Sequence, residues 1–513
     1  MKAKQPLLAL LLLAACAPQP RTVPTPATVV QPALIPLPAS VKLDASQTFA
    51  IDSFTTVYVD QTADSVVGGV GDYLVAMLRP AIKYGTMRST PADSARINVI
   101  RLTLDQSNAS LGDEGYDLAI TPASVTIAAP TAAGLFHGVQ TVRQLLPASV
   151  EHPAAVGRKL RLPAGHITDT PRYEWRGMML DVSRHFLAPK DVERFIDMLA
   201  LYKMNRLHLH LSDDQGWRIE IKSRPSLVAI GGSSQVGGAP GGYYTQDQYR
   251  DLVSYAASRF ITVVPEIDMP GHTNAALASV RELNCDKVSP PLYTGIRVGF
   301  SALCVDSTAI YPVIEDIVTE ISSLTPGPYF HIGGDEVTKL THPQYLAFIE
   351  RMQGIVNANG KRMIGWGEIS PANISTSTIV QNWKKDSSFV HAARGGRVIL
   401  SPATRVYLDQ QYDTTTILGL HWAAYSSIRN SYDWDPSTFL PAVPATAVLG
   451  VEAPLWSETL IKVEDFEFMA FPRLIAVSEI GWTAQPSRNW EDFSRRLGIQ
   501  SARLRALGIN ANF

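Results

Sequence analysis

Residues 328–337 read Pro-Tyr-Phe-His-Ile-Gly-Gly-Asp-Glu-Val. The apolar run Tyr329, Phe330, Ile332 has the length and composition of a buried strand. It stops at a glycine pair, Gly333-Gly334, and then at two carboxylates, Asp335 and Glu336. Glycine at a strand end permits a sharp turn and a close approach to a ligand. Neighbouring side chains on extended backbone point apart, so the two acids are free to occupy different environments. One solvated and ionised, the other enclosed and protonated, is a division that suits acid catalysis. An isolated Asp-Glu pair is more often two solvated acids at a strand end, so the surrounding chain has to decide.

Outward from this stretch, strand-length apolar runs alternate with amphipathic helices from Trp175 onward. The runs fall at 175–182, 206–211, 261–267, 329–332, 362–365, 378–383, 397–400 and 448–453. Between the first two, Pro189 opens a helix with Val192, Phe195, Ile196 and Leu199 on one face. After the second, Thr245 and Gln248 make a capping box at the start of another. Eight strand–helix units predict an α/β protein with a (β/α)8 TIM barrel over residues 169–513. A doubly wound sheet is the alternative, since periodicity alone does not close a barrel.

Polar clusters sit at or just after the C-terminal ends of these runs, where a barrel carries its active site. They are Asp181 with Arg184-His185, Asp213-Asp214, Glu266 with Asp268 and His272, Asp335-Glu336, Trp366 with Glu368, Trp383, and Trp456 with Glu458. Any one of them has a structural explanation, but their common position on successive strands is hard to explain that way. Trp366, Trp383, Trp422 and Trp456 each have glycine or a polar residue as an immediate neighbour. Aromatic faces stack on the C–H faces of sugars while carboxylates and arginine take the hydroxyls.

Residues 39–168 alternate short β-like runs with two helix-like ones and read as a small α+β domain without a site. Residues 1–16 read as a targeting segment. Lys2 and Lys4 precede the apolar run 7–13, which is too short to span a bilayer, and it closes on Leu-Ala-Ala-Cys16. That ending resembles the lipobox of bacterial lipoproteins, with Cys16 acylated; an ordinary cleaved signal peptide is the alternative. Either predicts export, and the lipobox predicts anchoring in a bacterial cell envelope, periplasmic or cell-surface. Residues 17–38 hold seven prolines and read as a semi-rigid linker. The two remaining cysteines, Cys285 and Cys304, are expected to pair in an exported protein; metal binding is disfavoured because no CxxC or HxxxH pattern accompanies them. Lys plus Arg is 45 against 47 for Asp plus Glu. Without a basic stripe nucleic acid is not an expected partner, and a neutral substrate fits.

The motifs Leu-Asp-Val-Ser-Arg-His-Phe (180–186), His-Leu-His-Leu-Ser-Asp-Asp-Gln-Gly-Trp (208–217), Val-Pro-Glu-Ile-Asp-Met-Pro-Gly-His (264–272), His-Ile-Gly-Gly-Asp-Glu (331–336), Tyr-Leu-Asp (407–409) and Glu-Ala-Pro-Leu-Trp-Ser-Glu (452–458) together resemble the family 20 glycoside hydrolases, the β-N-acetylhexosaminidases. The likeness extends to the small domain through Ile-Pro-Leu-Pro (35–38) and Gly-Leu-Phe-His-Gly-Val-Gln-Thr (134–141). The resemblance implies that Glu336 is the general acid. It implies that Asp335 orients the substrate's 2-acetamido group, whose oxygen attacks the anomeric carbon to give an oxazolinium. It further implies that Tyr407 bonds the acetamido oxygen, that Arg184, Asp409 and Glu458 hold hydroxyls, and that Trp366, Trp383, Trp422 and Trp456 wall the pocket. Asp213 and His272 would tune Glu336, and Glu368 has no assigned role. No cofactor or metal is implied. The expected partners are N-acetylhexosamine-containing oligosaccharides or glycoconjugates, with the membrane met only through the N-terminal lipid. Two rivals remain: a retaining β-glycosidase with Glu266 or Asp268 as carboxylate nucleophile, and a non-catalytic carbohydrate-binding lipoprotein.

Overall fold

A computed structural model describes residue 1 and residues 31–59, 65–79, 87–88, 97–151, 160–384 and 387–513. The targeting segment after Met1, Cys16 and the linker up to residue 30 lie outside the described residues. In the small domain seven strands, β1 (Ser40–Ile51), β2 (Thr56–Val59), β3 (Met87–Arg88), β4 (Val99–Leu104), β5 (Tyr116–Ile120), β6 (Ser124–Ala129) and β7 (Leu160–Asp169), form one mixed sheet in the order β1-β7-β5-β6-β4-β2-β3. The helices Ser65–Leu78 and Ala132–Leu145 pack on each other through Tyr73 and Phe136, whose rings lie 5.0 Å apart. Phe136 also reaches Phe260 of the barrel at 5.2 Å.

The second unit closes completely. Strands β8 (Trp175–Asp181), β9 (Arg206–His210), β10 (Thr262–Glu266), β11 (Tyr329–His331), β12 (Arg362–Trp366), β13 (Ile379–Asn382), β14 (Arg397–Leu400) and β15 (Val448–Leu455) are all parallel, and β15 pairs back onto β8. That ladder rules out the doubly wound alternative. Register places Asp181, His210, Glu266 and His331 side by side on four consecutive strands. Side chains alternate along a strand, so on β9 Leu207 and Leu209 face the helices while His208 and His210 face the axis. Trp175, Val264, Ile364, Ile379, Ile399 and Leu449 plug the N-terminal end of the barrel. Polar side chains fill its middle, and Trp366, Trp383, Ala403 and Tyr407 pack at its C-terminal end.

The proline-rich linker ends sooner than the sequence indicates. Leu34 and Ile35 are buried, Ile35 N–H donates to Gln144, and Arg496 donates to Leu34 C=O. Residues 34–38 therefore belong to the folded body, held between the small domain and the C-terminal helix Trp490–Ala506. The domains are further bolted together by buried ion pairs. Lys203 meets Asp169 at 2.8 Å, and Arg176 meets Glu114 at 2.6 Å.

Cys285 and Cys304 form a disulfide with Cα atoms 5.0 Å apart, which staples the long loop after β10. In the chain-entropy account, closing a loop of this length stabilises by about 3 kcal/mol. The double substitution Cys285→Ser/Cys304→Ser should lower the unfolding free energy by that order in a denaturant titration. An unchanged midpoint and slope would show that the staple is idle.

Candidate active site

Loops at the C-terminal end of the barrel enclose a cavity of about 350 Å³. That lies near the small end of the range for ligand pockets, roughly 300–1,000 Å³, and suits one sugar residue better than a chain. Of the residues singled out in the sequence, Asp335, Glu336, Arg184, His272, Trp383, Tyr407, Trp422, Trp456 and Glu458 line it. Asp213, Asp409 and Trp366 do not.

The turn after β11 is what presents the two acids. Gly333 and Gly334 have φ of +69° and +97°. A Cβ at Gly333 would lie 1.8 Å from Asp268 Oδ1, the oxygen that accepts Gly334 N–H at 3.0 Å. Tyr345 Oη fixes the turn from the other side by donating to Gly334 C=O at 2.6 Å. Glu336 and His272 are themselves left-handed, with φ of +53° and +52°. Such backbone costs about 1–3 kcal/mol per residue and persists where the surroundings over-determine it.

One imidazole serves both acids. His272 Nε2 lies 3.7 Å from Asp335 Oδ2 and 3.5 Å from Glu336 Oε2, while its Nδ1 donates to Asp213 Oδ1 at 3.2 Å. Asp213 Oδ2 receives Arg184 at 2.7 Å and His210 at 2.8 Å. Burial disfavours a charge on His272, but Asp213 and Asp335 outweigh it and hold the ring protonated. Burial is likewise overcome at Asp213, where Arg184 and His272 keep the carboxylate ionised well below its usual range.

The two acids do differ in environment, and the enclosed one is not the expected general acid, Glu336. Asp335 is the enclosed one, 7% exposed, and burial pushes it up to about 6 against the pull of His272. Glu336 is about one-third exposed at its side chain. Burial raises it, but the bond to His272 and then the charges of His272, Lys384 and Arg184 bring it below the ordinary value. Glu336 opens onto the cavity, where water reaches its side chain. A sugar ring there would displace that water, and desolvation favours the neutral carboxyl.

The aromatic wall is Trp383, Tyr407, Trp422 and Trp456. Trp383 stacks on Tyr407 at 6.2 Å and 14°, and Trp422 stands edge-on to both at 5.8 and 5.9 Å. Burial and the neighbouring Asp335 hold the Tyr407 hydroxyl protonated, hence a donor. Glu368 acquires a place here. It accepts Trp383 Nε1–H at 3.1 Å and pairs with Lys384 at 2.8 Å, fixing that wall from behind. At the opposite corner Arg184 lies over the Trp456 ring at 4.8 Å, beside Glu458. Burial, then the charge of Glu458, pushes Asp409 up to about 8; its Oδ2 accepts from Gln410 and its Oδ1 has no partner among the described residues.

Trp366 departs from the expected wall. It is wholly buried 5.8 Å from the Trp456 ring and donates its Nε1–H to Glu266 Oε1 at 2.9 Å, so it is a support beneath the cavity. Glu266 and Asp268, the rival nucleophiles, are also absent from the lining. Glu266 is 0% exposed and engaged by His208, His210 and Trp366. Buried acids and imidazoles cluster here in the manner of metal ligands. Within the cluster His210 Nδ1 hydrogen-bonds Glu266 Oε2 at 2.5 Å, and His208 Nε2 lies 3.0 Å from the same oxygen. The sequence reading passed over His208, His331, Glu452 and the mouth residues Ile296 and Val298. For His208 and His210 the signal was present, as imidazoles alternating with leucine on a barrel strand.

Comparison with known proteins bears on this site. Two profiles match the chain: glycosyl hydrolase family 20, catalytic domain, over residues 173–345 and 338–485, and glycosyl hydrolase family 20, domain 2, over residues 31–170. A beta-N-acetylhexosaminidase of Cellulomonas fimi is 41% identical over 453 residues, 88% of this chain and 89% of that one. A solved family 20 beta-N-acetylhexosaminidase from Streptomyces coelicolor A3(2) superposes with a TM-score of 0.90 at 49% identity, covering 94% of this chain and 97% of that one. The Streptomyces plicatus N-acetyl-beta-hexosaminidase in complex with Thio-NAglucal gives 0.89 at 48% identity, covering 94% and 96%.

Proposed function

The chain belongs to glycosyl hydrolase family 20 and is a β-N-acetylhexosaminidase, and on that premise we propose that it releases single terminal β-linked GlcNAc or GalNAc residues with retention, the substrate's own acetamido oxygen acting as nucleophile. The observation that carries this reading is the disposition of the acids. Asp335 and Glu336 hang from the same imidazole edge, so they approach a sugar from one side. A two-carboxylate mechanism needs its acids to flank the scissile bond from both faces. Glu336 protonates the leaving oxygen. Asp335 offers Oδ1, which has no partner among the described residues, to the acetamido N–H, and balances the positive ring as the oxazolinium forms. Tyr407 donates to the acetamido oxygen from the facing wall. Water then opens the ring with Glu336 as base.

The reading is tested by assaying chromogenic β-GlcNAc and β-GalNAc substrates beside the β-glucoside. Rapid release from the N-acetyl sugars with very poor turnover of the glucoside is expected. Comparable turnover of all three would favour a carboxylate nucleophile.

We further propose export and lipid attachment at Cys16, which would tether the barrel to a bacterial cell envelope, periplasmic or cell-surface, through the proline-rich segment; the lipobox-like Leu-Ala-Ala-Cys16 supports this. One acyl chain gives marginal binding and stable anchoring takes more than one, which lipoprotein processing supplies. Cys16→Ser should move the protein from the membrane to the soluble fraction with unchanged kcat/KM. Identical fractionation of wild type and variant would refute the anchor.

A further inference from the structure

Below Glu336 a chain of alternating imidazoles and carboxylates runs down the barrel axis, and the steps above use only its upper end. Glu336 Oε2 faces His272 Nε2 at 3.5 Å, and His272 Nδ1 bonds Asp213 at 3.2 Å. Asp213 bonds His210 Nε2 at 2.8 Å, and His210 Nδ1 bonds Glu266 Oε2 at 2.5 Å. The same Glu266 oxygen lies 3.0 Å from His208 Nε2, whose Nδ1 bonds Glu452 Oε1 at 2.8 Å. Every member beyond Glu336 is 3% exposed or less.

We propose that Glu266 is a positioning residue for the general acid, and that its charge, acting through His210 and Asp213, sets the pH range over which Glu336 keeps its proton. The inference rests on Glu336 being the acid. His210 donates from both ring nitrogens, so it is an imidazolium shared by two carboxylates. That leaves Asp213 Oδ1, which also accepts Asp214 N–H, to orient His272. Without the negative charge of Glu266, the cations of His210 and His208 are under-balanced and Glu336 ionises more readily. Burial opposes charge on His208, but Glu266 and Glu452 raise it to about 9.

The other groups around the chain do not replace Glu266. His331 Nδ1 lies 3.0 Å from both Gly333 N and Glu266 Oε1, and burial, outweighing the pull of Glu266, lowers its pKa and favours the neutral ring. Trp366 donates to Glu266 without carrying charge. Asp268 is kept neutral by burial and then by the charge of Asp335. Arg184 Nη1 stands 3.4 Å from His210 Nε2 and bonds Asp181, Arg184 Nη2 bonds Asp213, and Trp456 lies edge-on to His210 at 4.9 Å. Asp335, Lys384 and Arg184 are the other charges that Glu336 feels.

The test is the pH profile of kcat/KM for a substrate with a poor leaving group, a β-linked N-acetylglucosamine disaccharide. Glu266→Gln should move the alkaline limb to lower pH by about 0.5–1 unit, the size expected of a charge left unbalanced beyond three intervening side chains in partly screened surroundings. Glu266→Asp should keep the wild-type limb even where the rate falls. His210→Gln, which removes a cation, should move the limb the opposite way and serves if Glu266→Gln does not fold. His331→Gln, a neutral exchange against the same carboxylate, should leave the limb in place. A pH-independent loss in Glu266→Gln, or shifts of the same sign in Glu266→Gln and His210→Gln, would overturn the proposal. Failure of the acid assignment itself is read separately, from the leaving-group dependence of Glu336→Gln.

Discussion

Glu336→Gln is expected to reduce turnover of a disaccharide substrate by roughly 10²–10⁴-fold, the usual contribution of general acid catalysis, while an aryl glycoside with an activated leaving group loses far less. Glutamine keeps the shape and can still accept from His272, so fold and sugar binding should survive. What disappears is the proton for the departing oxygen, and only a poor leaving group depends on it. The difference between the two substrates is therefore the readout. Equal losses on both would remove Glu336 from the acid role and point to a binding or structural defect. The same variant should lose the alkaline limb of the pH profile, because the group whose deprotonation produces it is gone.

Asp335→Asn should cost about 10²–10³-fold, the range measured when one electrostatic contact to a developing charge is removed, and on both substrate types alike. Asp335 works ionised, balancing the ring nitrogen. Burial holds its carboxyl up to about 6, so wild-type kcat/KM should fall as pH drops through that region, where Asp335 takes up a proton and its charge is lost. In the variant this acid limb should be missing. A stable thiazoline mimic of the oxazolinium should bind wild type much more tightly than substrate does, as transition-state-like ligands do, and should weaken in parallel with catalysis in the variant. Weakened catalysis with unaltered thiazoline binding would mean that Asp335 does not act on the ring.

Much of this was readable in the chain because strand ends carry their own punctuation. Each barrel strand is a short apolar run closed by a polar cluster, and eight such runs at helix-bearing intervals leave few folds open. The small domain was less legible. β7 contains Pro163 and Gly165, and β1 shifts register between Asp44 and Thr48; proline, glycine and bulges erase the alternation that marks a strand. Leu34 and Ile35 are covered by helices more than a hundred residues away, which no local pattern reveals. At the site, the residues at loop tips were found from their motifs, whereas depth was not. Trp366 and Trp383 look alike in sequence, yet one lies under the floor and the other faces the cavity. The ionic state of the acids could not be read either, since it follows from which of two adjacent carboxyls the backbone turns into the wall.

The central claim is that the nucleophile belongs to the substrate. Its most direct test is the dependence of kcat/KM on fluorination of the N-acetyl group, using aryl glycosides that carry acetyl, monofluoroacetyl, difluoroacetyl and trifluoroacetyl substituents. Each fluorine withdraws electron density from the carbonyl oxygen without disturbing the leaving group. If that oxygen attacks the anomeric carbon, kcat/KM falls steeply and monotonically along the series. A flat series would contradict the account and return the reaction to a carboxylate nucleophile.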